Sequence, residues 1–220
     1  MGCLQFISNS TQLDISYAVN KLAAYTTNLC LQHHSAIKWI LRYLAGMKTL
    51  GITYHNTPDE TDANNLFHGY ADAAFTNTDY HKSTTGYVFL GSGRAIMWKS
   101  KKQTVIMLSS MEAEYVALLE AGRKATWLRN LYGELGFPQT NPTIIKGDNN
   151  GSVVLTHNPQ FHQQSKHITL CHHWIQDLVT DKILDIQNCC DLEQTVDVLT
   201  KALPRPKFTR HRGEMSIQLI

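Results

Sequence analysis

A chain of 220 residues, 43% of them hydrophobic, is long and apolar enough for one domain plus a smaller segment, which excludes wholesale disorder. The formal net charge of +2 permits a nucleic-acid partner without requiring one, and five irregularly spaced cysteines match no zinc-finger pattern and favour a reduced intracellular compartment. We expect no signal peptide, because no basic stretch precedes an apolar core at the start, and no membrane contact, because no apolar run approaches roughly 20 residues.

Residues 1–56 predict a small helical segment. Apolar residues recur at three- and four-residue spacing after Asp14, which is placed to cap a helix. A second amphipathic helix is predicted from Leu31 to Leu44. The polar, turn-rich residues 57–65 predict a linker to the rest of the chain.

Three strands joined as hairpins are predicted next, at 69–75, 83–91 and 94–99. Because side chains alternate along a strand, Asp72 is a lone carboxylate in an otherwise apolar and aromatic element. Burying an unpaired carboxylate is costly, so Asp72 requires a metal ion or a cationic side chain as its partner. A role as a strand cap or in a lysine pair stays open from these residues alone.

A long helix is predicted from Ser109 or the next residue to about Leu135. Its start fits a capping box in which Glu112 reaches back to the cap. Glu114 lies two residues further on, about 200° around the helix, and therefore faces the sheet. One glutamate is thus available for the cap and the other for chemistry.

A fourth strand is predicted at 143–147, and Asp148 stands at its end. An acidic residue at a strand-to-helix junction is a common ligand position in α/β folds, although capping the next helix explains Asp148 equally well. The remaining predicted elements are a helix at 168–180, a strand at 182–187 and a closing helix at 193–203 that carries Asp197.

Four carboxylates thus come from four different elements: Asp72, Glu114, Asp148 and Asp197. They cannot share a small space without cations, because like charges repel and raise each other's pKa values. Two Mg²⁺ ions about 3.5–4 Å apart resolve this repulsion and suit phosphodiester hydrolysis.

A basic cluster near the third strand predicts contacts with a sugar–phosphate backbone. Its members are Arg94, Trp98, Lys99, Lys101 and Lys102. The alternative is that Trp98 belongs to the core and the lysines form a solvated turn.

Six motifs resemble, in the same order, the ribonuclease H domain of copia-type retrotransposon polyproteins, and together they cover residues 66–204. They are Gly-Tyr-Ala-Asp at 69–72, Ser-Thr-Thr-Gly-Tyr at 83–87, Trp-Lys-Ser-Lys-Lys-Gln at 98–103, Ser-Ser-Met-Glu-Ala-Glu-Tyr at 109–115, Gly-Asp-Asn at 147–149 and Asp-Val-Leu-Thr-Lys at 197–201.

The resemblance implies an α/β, ribonuclease H-like fold: a mixed five-stranded sheet, with three antiparallel strands followed by parallel ones, flanked by helices. It also implies endonucleolytic cleavage of the RNA strand of RNA–DNA hybrids. Its metal site, for two Mg²⁺ ions with Mn²⁺ as a substitute, consists of Asp72, Glu114, Asp148 and Asp197, with Asp72 bridging both ions.

Residues 3–54 resemble the end of the reverse transcriptase that precedes this domain. The polymerase motif Tyr-x-Asp-Asp is absent from the sequence, so we expect no polymerase activity. The resemblance implies an RNA–DNA hybrid and the reverse transcriptase portion of the same polyprotein as partners, in an intracellular retroelement particle or the nucleus. Residues 205–220 are predicted as a basic C-terminal tail.

Two alternatives to an active nuclease remain. One is a catalytically inactive relic of the same fold that only binds nucleic acid or a partner protein. Departures from the family's pattern keep it open, such as Leu13 where a proline is usual and Thr169 where an aspartate is usual. The other is an integrase-like transposase, which typically carries a glutamate on a late helix, where this chain has Asp197.

Overall fold

The computed structural model describes residues 1–54, 65–76, 81–157, 166–190, 193–215 and 217–219. Nearly all of the linker predicted at 57–65 lies outside the described residues. The elements are α1 Gly2–Ser10, α2 Ser16–Ala23, α3 Leu31–Gly46, β1 Leu50–Ile52, β2 His68–Ala74, β3 Thr84–Gly91, β4 Arg94–Lys102, α4 Ser110–Glu134, β5 Thr143–Gly147, α5 Asn150–His157, α6 Lys166–Thr180, β6 Leu184–Asn188, α7 Arg205–Glu214 and β7 Ile217–Leu219, with 3₁₀ turns at Leu13–Ile15 and Thr195–Leu199.

The central sheet has five strands in the order β4-β3-β2-β5-β6. Strands β2, β3 and β4 pair antiparallel, whereas β5 pairs parallel with both β2 and β6. The predicted mixed, ribonuclease H-like sheet is therefore confirmed. A buried apolar cluster covers each face, one around Phe89 and Leu118 under α4, the other around Val88 and Leu199.

Helix α4 begins at the predicted cap, Ser109, but the Glu112 carboxylate binds the residue before the cap and not the cap itself. The Ser109 hydroxyl accepts a 3.2 Å hydrogen bond from the backbone N–H of Glu112, and the Glu112 carboxylate accepts a 2.9 Å bond from the backbone N–H of Leu108. Glu114 is buried, with 8% of its surface exposed. The helix phase that separates the two glutamates in the sequence is therefore confirmed.

The predicted closing helix at 193–203 is wrong, because the structure forms only a 3₁₀ turn at Thr195–Leu199. All five residues of this turn are buried, so no solvent-facing side exists for a longer amphipathic helix. The turn lies directly on β3: a Cβ added at Gly86 would stand 2.6 Å from the Thr200 side chain and 3.0 Å from that of Leu199. The glycine therefore permits the close approach that carries Asp197 onto the sheet.

The N-terminal segment packs directly against the central sheet. The Trp98 indole donates a 2.7 Å hydrogen bond to the backbone oxygen of Ser8, and the Asn20 amide donates to the backbone oxygen of Ser100. The predicted cap at Asp14 is wrong. Asp14 is buried and accepts a 2.5 Å hydrogen bond from the Tyr43 hydroxyl, so its partner lies on α3 and not at a helix start.

The residues predicted as a basic tail form α7 and β7, and β7 pairs antiparallel with β1. The last element of the N-terminal segment and the last element of the described chain thus meet in a second, two-stranded sheet. Among the described helices, none is long and apolar enough to cross a membrane.

Candidate metal centre and active site

The candidate site lies where strands β2 and β5 separate. Their described pairing covers only Gly69 with Ile145 and Tyr70 with Lys146. Beyond it, the backbone oxygen of Ala71 accepts a 2.9 Å hydrogen bond from the Gln194 amide. The split leaves room at the carboxyl ends of two parallel strands, where α/β folds commonly bind ligands.

Three of the four predicted carboxylates meet at this split. Asp72 comes from β2, Glu114 from the second turn of α4 and Asp148 from the residue after β5. One ligand atom from each lies within 4.8 Å of the other two. Asp72 is fully buried and Asp148 half-buried. Packing three carboxylates this closely in a largely buried place requires a cation between them or a bound proton.

The orientation of Asp72 fits a divalent cation. Its Oδ1 atom is buried and has no hydrogen-bond partner among the described residues, whereas its Oδ2 atom accepts from the Thr200 hydroxyl. An unpartnered buried carboxylate oxygen beside two further carboxylates is a hard-oxygen donor set of the kind that Mg²⁺ and Mn²⁺ prefer. The residues therefore fit the metal that the sequence predicts.

Burial and mutual repulsion perturb this cluster strongly. Burial raises the pKa of Glu114 to about 10, and the nearby charges of Asp72 and Asp148 add to the effect. Burial also raises the pKa of Asp72, to about 6, although Lys201 and the Thr200 hydroxyl oppose the rise. Without a cation, the cluster therefore keeps a proton at neutral pH.

Asp197 is linked to the cluster through a lysine. Its carboxylate lies 2.9 Å from Nζ of Lys201 and 2.6 Å from Nζ of Lys207, and the same Lys201 nitrogen lies 3.5 Å from Asp72. Burial alone would raise the pKa of Asp197, but hydrogen bonds from the two ammonium groups outweigh it and hold that pKa below its ordinary value. Asp197 is thus already neutralised by protein charges.

Sequence reasoning missed the residues that hold the carboxylates in place. Thr200 and Lys201 belong to the motif that contains Asp197, and the four-residue spacing from Asp197 to Lys201 was a usable signal. Gln194 and Lys207 carried no such signal, because their partners lie across the fold or outside their own helix.

The predicted nucleic-acid-binding residues divide between the two faces of β4. Lys99 is aligned with Tyr87 of β3 and Lys101 with Thr85, on the face that packs against α4. With Lys102 they line a groove of about 470 Å³ whose floor includes Tyr87 and Leu119. Since Thr85 is in turn aligned with Ala73, Lys101 lies two strands, roughly 10 Å, from the carboxylate site.

Trp98 lies on the opposite face, in the cluster around Val88, where its indole is bonded to Ser8. Arg94 is paired with Gly91 at the other end of the strand. The structure therefore brings the three lysines together and separates them from Trp98 and Arg94.

Curated relatives match almost the whole chain, although no family model matches it. The Pol polyprotein of transposon TNT 1-94 from Nicotiana tabacum is 35% identical over 94% of this chain, and that of transposon RE2 from Arabidopsis thaliana is 37% identical over 99%. The chain spans 15% of the length of each of these relatives. A secreted RxLR effector protein of Plasmopara viticola is 34% identical over 58% of this chain and 87% of its own length.

Two solved structures resemble the fold more distantly, with TM-scores below 0.5. LC11-RNase H1 in complex with an RNA/DNA hybrid matches 61% of this chain and 93% of its own, with 14% identity and a TM-score of 0.43. The foamy viral protease-reverse transcriptase in complex with an RNA/DNA hybrid matches 83% of this chain and 27% of its own, with 14% identity and a TM-score of 0.47.

The polyprotein relatives confirm the family that the six motifs predict, and they align with the N-terminal segment as well as with the sheet. Over nearly its whole length, the chain is homologous to a segment of the retrovirus-related Pol polyproteins of copia-type transposons.

Proposed function

We propose that this segment hydrolyses the RNA strand of RNA–DNA hybrids as a metal-dependent endonuclease. The observation that carries the proposal is the convergence of Asp72, Glu114 and Asp148 within 4.8 Å, at the split between two parallel strands. Homology to a segment of Pol polyproteins supports a nucleic-acid substrate. The resemblance of the six motifs to a ribonuclease H domain is the reason for proposing an RNA–DNA hybrid as that substrate.

Two divalent ions suit the four carboxylates. Asp72, Glu114 and Asp148 would hold one ion, and Asp72 with Asp197 the other. When bound, such ions supply an activated water and stabilise the leaving oxygen of a phosphodiester. The protein's part is to fix the ligands: Thr200 orients Asp72 through its hydroxyl, and the backbone N–H of Ala73 orients Glu114. Ligands held in this way lose little freedom on binding a cation.

We propose that the three lysines of the groove contact the substrate backbone and that Arg94, at the opposite end of β4, contacts it separately. Charges in this position neutralise phosphates without reading bases. A hybrid is recognised by its shape and its 2′-hydroxyl groups, so cleavage should depend little on sequence. Trp98 would act from the opposite face, by fixing β4 against the N-terminal segment.

That packing also suggests how this segment relates to the rest of the polyprotein. Leu13 and strand β1 share a core with the sheet, and α2 is hydrogen-bonded to β4 through Asn20. We therefore propose that the reverse transcriptase portion is continuous with the nuclease and positions it on the same hybrid. An intracellular site of action, in a retroelement particle or the nucleus, follows from this role and stays a prediction.

The direct test uses the purified chain and a labelled RNA–DNA hybrid in Mg²⁺ or Mn²⁺. We expect internal cuts in the RNA strand, none in single-stranded RNA or duplex DNA, and complete loss in excess EDTA. Cleavage that persists in EDTA contradicts the metal mechanism. A folded protein that binds the hybrid without cutting it supports the alternative of an inactive nucleic-acid-binding relic.

A further inference from the structure

One ammonium group stands between two of the candidate metal ligands. Nζ of Lys201 lies 2.9 Å from a carboxylate oxygen of Asp197 and 3.5 Å from Oδ2 of Asp72. Both carboxylates are buried, and the lysine side chain is 37% exposed. The lysine therefore approaches from the solvent side and places its charge between the two acids.

Two ammonium groups already neutralise the Asp72–Asp197 side of the site. Lys201 forms ion pairs with both Asp72 and Asp197, and Lys207 forms one with Asp197. A metal ion placed between Asp72 and Asp197 would lie close to the ammonium group of Lys201. Repulsion between these like charges disfavours such an ion unless Lys201 moves away or a phosphate enters.

The two candidate positions also differ in their vacant ligand atoms. Asp72 Oδ1, on the side of the cluster, lacks a hydrogen-bond partner among the described residues. Asp72 Oδ2 already interacts with the Thr200 hydroxyl and with Nζ of Lys201. Of the two Asp197 oxygens, one accepts a hydrogen bond from Lys201 and the other accepts one from Lys207. An ion at the Asp72–Asp197 position must therefore displace existing contacts, whereas an ion at the cluster meets Asp72 Oδ1, an oxygen without one.

We propose that Lys201 is an internal cation that takes the place of a second metal ion in the resting protein. The two positions are then unequal. The Asp72–Glu114–Asp148 cluster binds the first ion. The Asp72–Asp197 position accepts a second ion only when the ammonium group leaves, an exchange that a substrate phosphate favours. This inference rests on the proposed function and specifies how its metal site is loaded.

The test counts bound ions on the full chain without nucleic acid. MnCl₂ is titrated into metal-free protein at pH 7.5 by calorimetry, and free Mn²⁺ is followed by electron paramagnetic resonance. We expect wild type to bind one ion at least 10-fold more tightly than a second. We expect the Lys201→Met variant to bind the second ion at least 10-fold more tightly than wild type does. Spin coupling between paired ions should therefore appear at a lower Mn²⁺ concentration in the variant.

Two further variants control for charge and folding. Lys201→Arg keeps the positive charge and should retain one tight ion. Lys124→Met removes a lysine on α4, over the Trp127 ring, and should behave as wild type. Circular dichroism and thermal melting establish that each variant is folded.

Some results would overturn the inference: two ions of equal affinity in folded wild type, no tight ion at all, or the same weak second ion in Lys201→Met. The measurement contains no substrate, so it is independent of cleavage. Unequal ions without hybrid cleavage overturn only the proposed nuclease function. Equal ions with cleavage intact overturn only the role of Lys201.

Discussion

The carboxylate of Glu114 accepts a 3.0 Å hydrogen bond from the backbone N–H of Ala73, the residue that follows Asp72 in β2. This bond ties the second turn of α4 to the strand at the point where β2 leaves its pairing with β5. It satisfies a backbone donor that has no ladder partner there, and it fixes a carboxylate beside Asp72. One contact therefore serves both the fold and the site.

Replacing each glutamate of α4 should separate these roles. Glu114→Gln keeps an oxygen that accepts from Ala73 but removes the charge, so we expect a folded protein without cleavage activity. Glu112→Gln weakens only the start of the helix and should lower the free energy of unfolding by about 1 kcal/mol or less, with cleavage retained. Hybrid cleavage and thermal melting on both variants check this. Loss of activity in Glu112→Gln alone would reverse the assignment.

The metal-free protein should lose stability as the pH rises. The pKa of Glu114 is about 10 in the folded protein, against an ordinary value of 4.5, so the folded state keeps a proton that the unfolded state has released. This contribution is complete below about pH 4.5 and is lost progressively as the pH approaches 10. Denaturant unfolding in EDTA at several pH values measures the decline.

Glu114→Gln is the matched control for this pH effect, because its side chain cannot ionise. In EDTA at pH 8 we expect the variant to melt above wild type, at roughly 2–4 °C per kcal/mol of repulsion removed, and to show a flatter pH profile. Adding Mn²⁺ should stabilise wild type more than the variant. Equal pH profiles for the two proteins would show that Glu114 is not strained by its neighbours.

Thr200 should affect metal affinity through Asp72, whose carboxylate it orients with its hydroxyl. Thr200→Val removes the donor at nearly constant volume, and we expect 10- to 100-fold weaker metal activation or binding. Thr200→Ser restores the hydroxyl and should recover most of it, whereas Asp72→Asn should be the most damaging single change. Cleavage rates measured against Mg²⁺ concentration test this order. A Thr200→Val variant with unchanged metal dependence would remove Thr200 from the site.

The lysines of the groove should contribute to hybrid affinity through charge. We expect the triple change of Lys99, Lys101 and Lys102 to alanine to weaken binding with little effect at saturating substrate. The slope of log affinity against log salt should fall by roughly 0.7–0.9 for each phosphate that the variant no longer neutralises. Fluorescence anisotropy at several salt concentrations measures it.

A charge-matched control replaces three exposed lysines of the N-terminal segment, Lys21, Lys38 and Lys48, with alanine. We expect the control to leave the salt slope closer to wild type. If the groove variant keeps the wild-type slope, the substrate surface lies elsewhere, and the basic residues of α7 become the next candidates.

The order of residues along the chain was enough to predict those features that depend on local structure. Alternation identified Asp72 as a carboxylate in an apolar strand, and helix phase separated Glu112 at the cap from Glu114 facing the sheet. Both inferences succeeded because the period of a strand or a helix fixes which side chains share a face.

The surroundings of those residues depend on contacts between elements that are far apart in the sequence. Trp98 lies in a basic stretch of sequence, but its hydrogen-bond partner, Ser8, is 90 positions away along the chain. The apolar spacing at 193–203 suggested a helix, yet burial on all sides and the contact with Gly86 reduced it to one tight turn that delivers Asp197.

The lysines around Asp197 show the same limit. Lys207, on the next helix, pairs with Asp197. Lys201 stands between Asp197 and Asp72, although Asp72 lies in β2, more than a hundred positions earlier in the chain than Lys201. Which charges meet depends on how distant elements pack against each other. That packing follows from the whole core, so no local pattern in the sequence contains it.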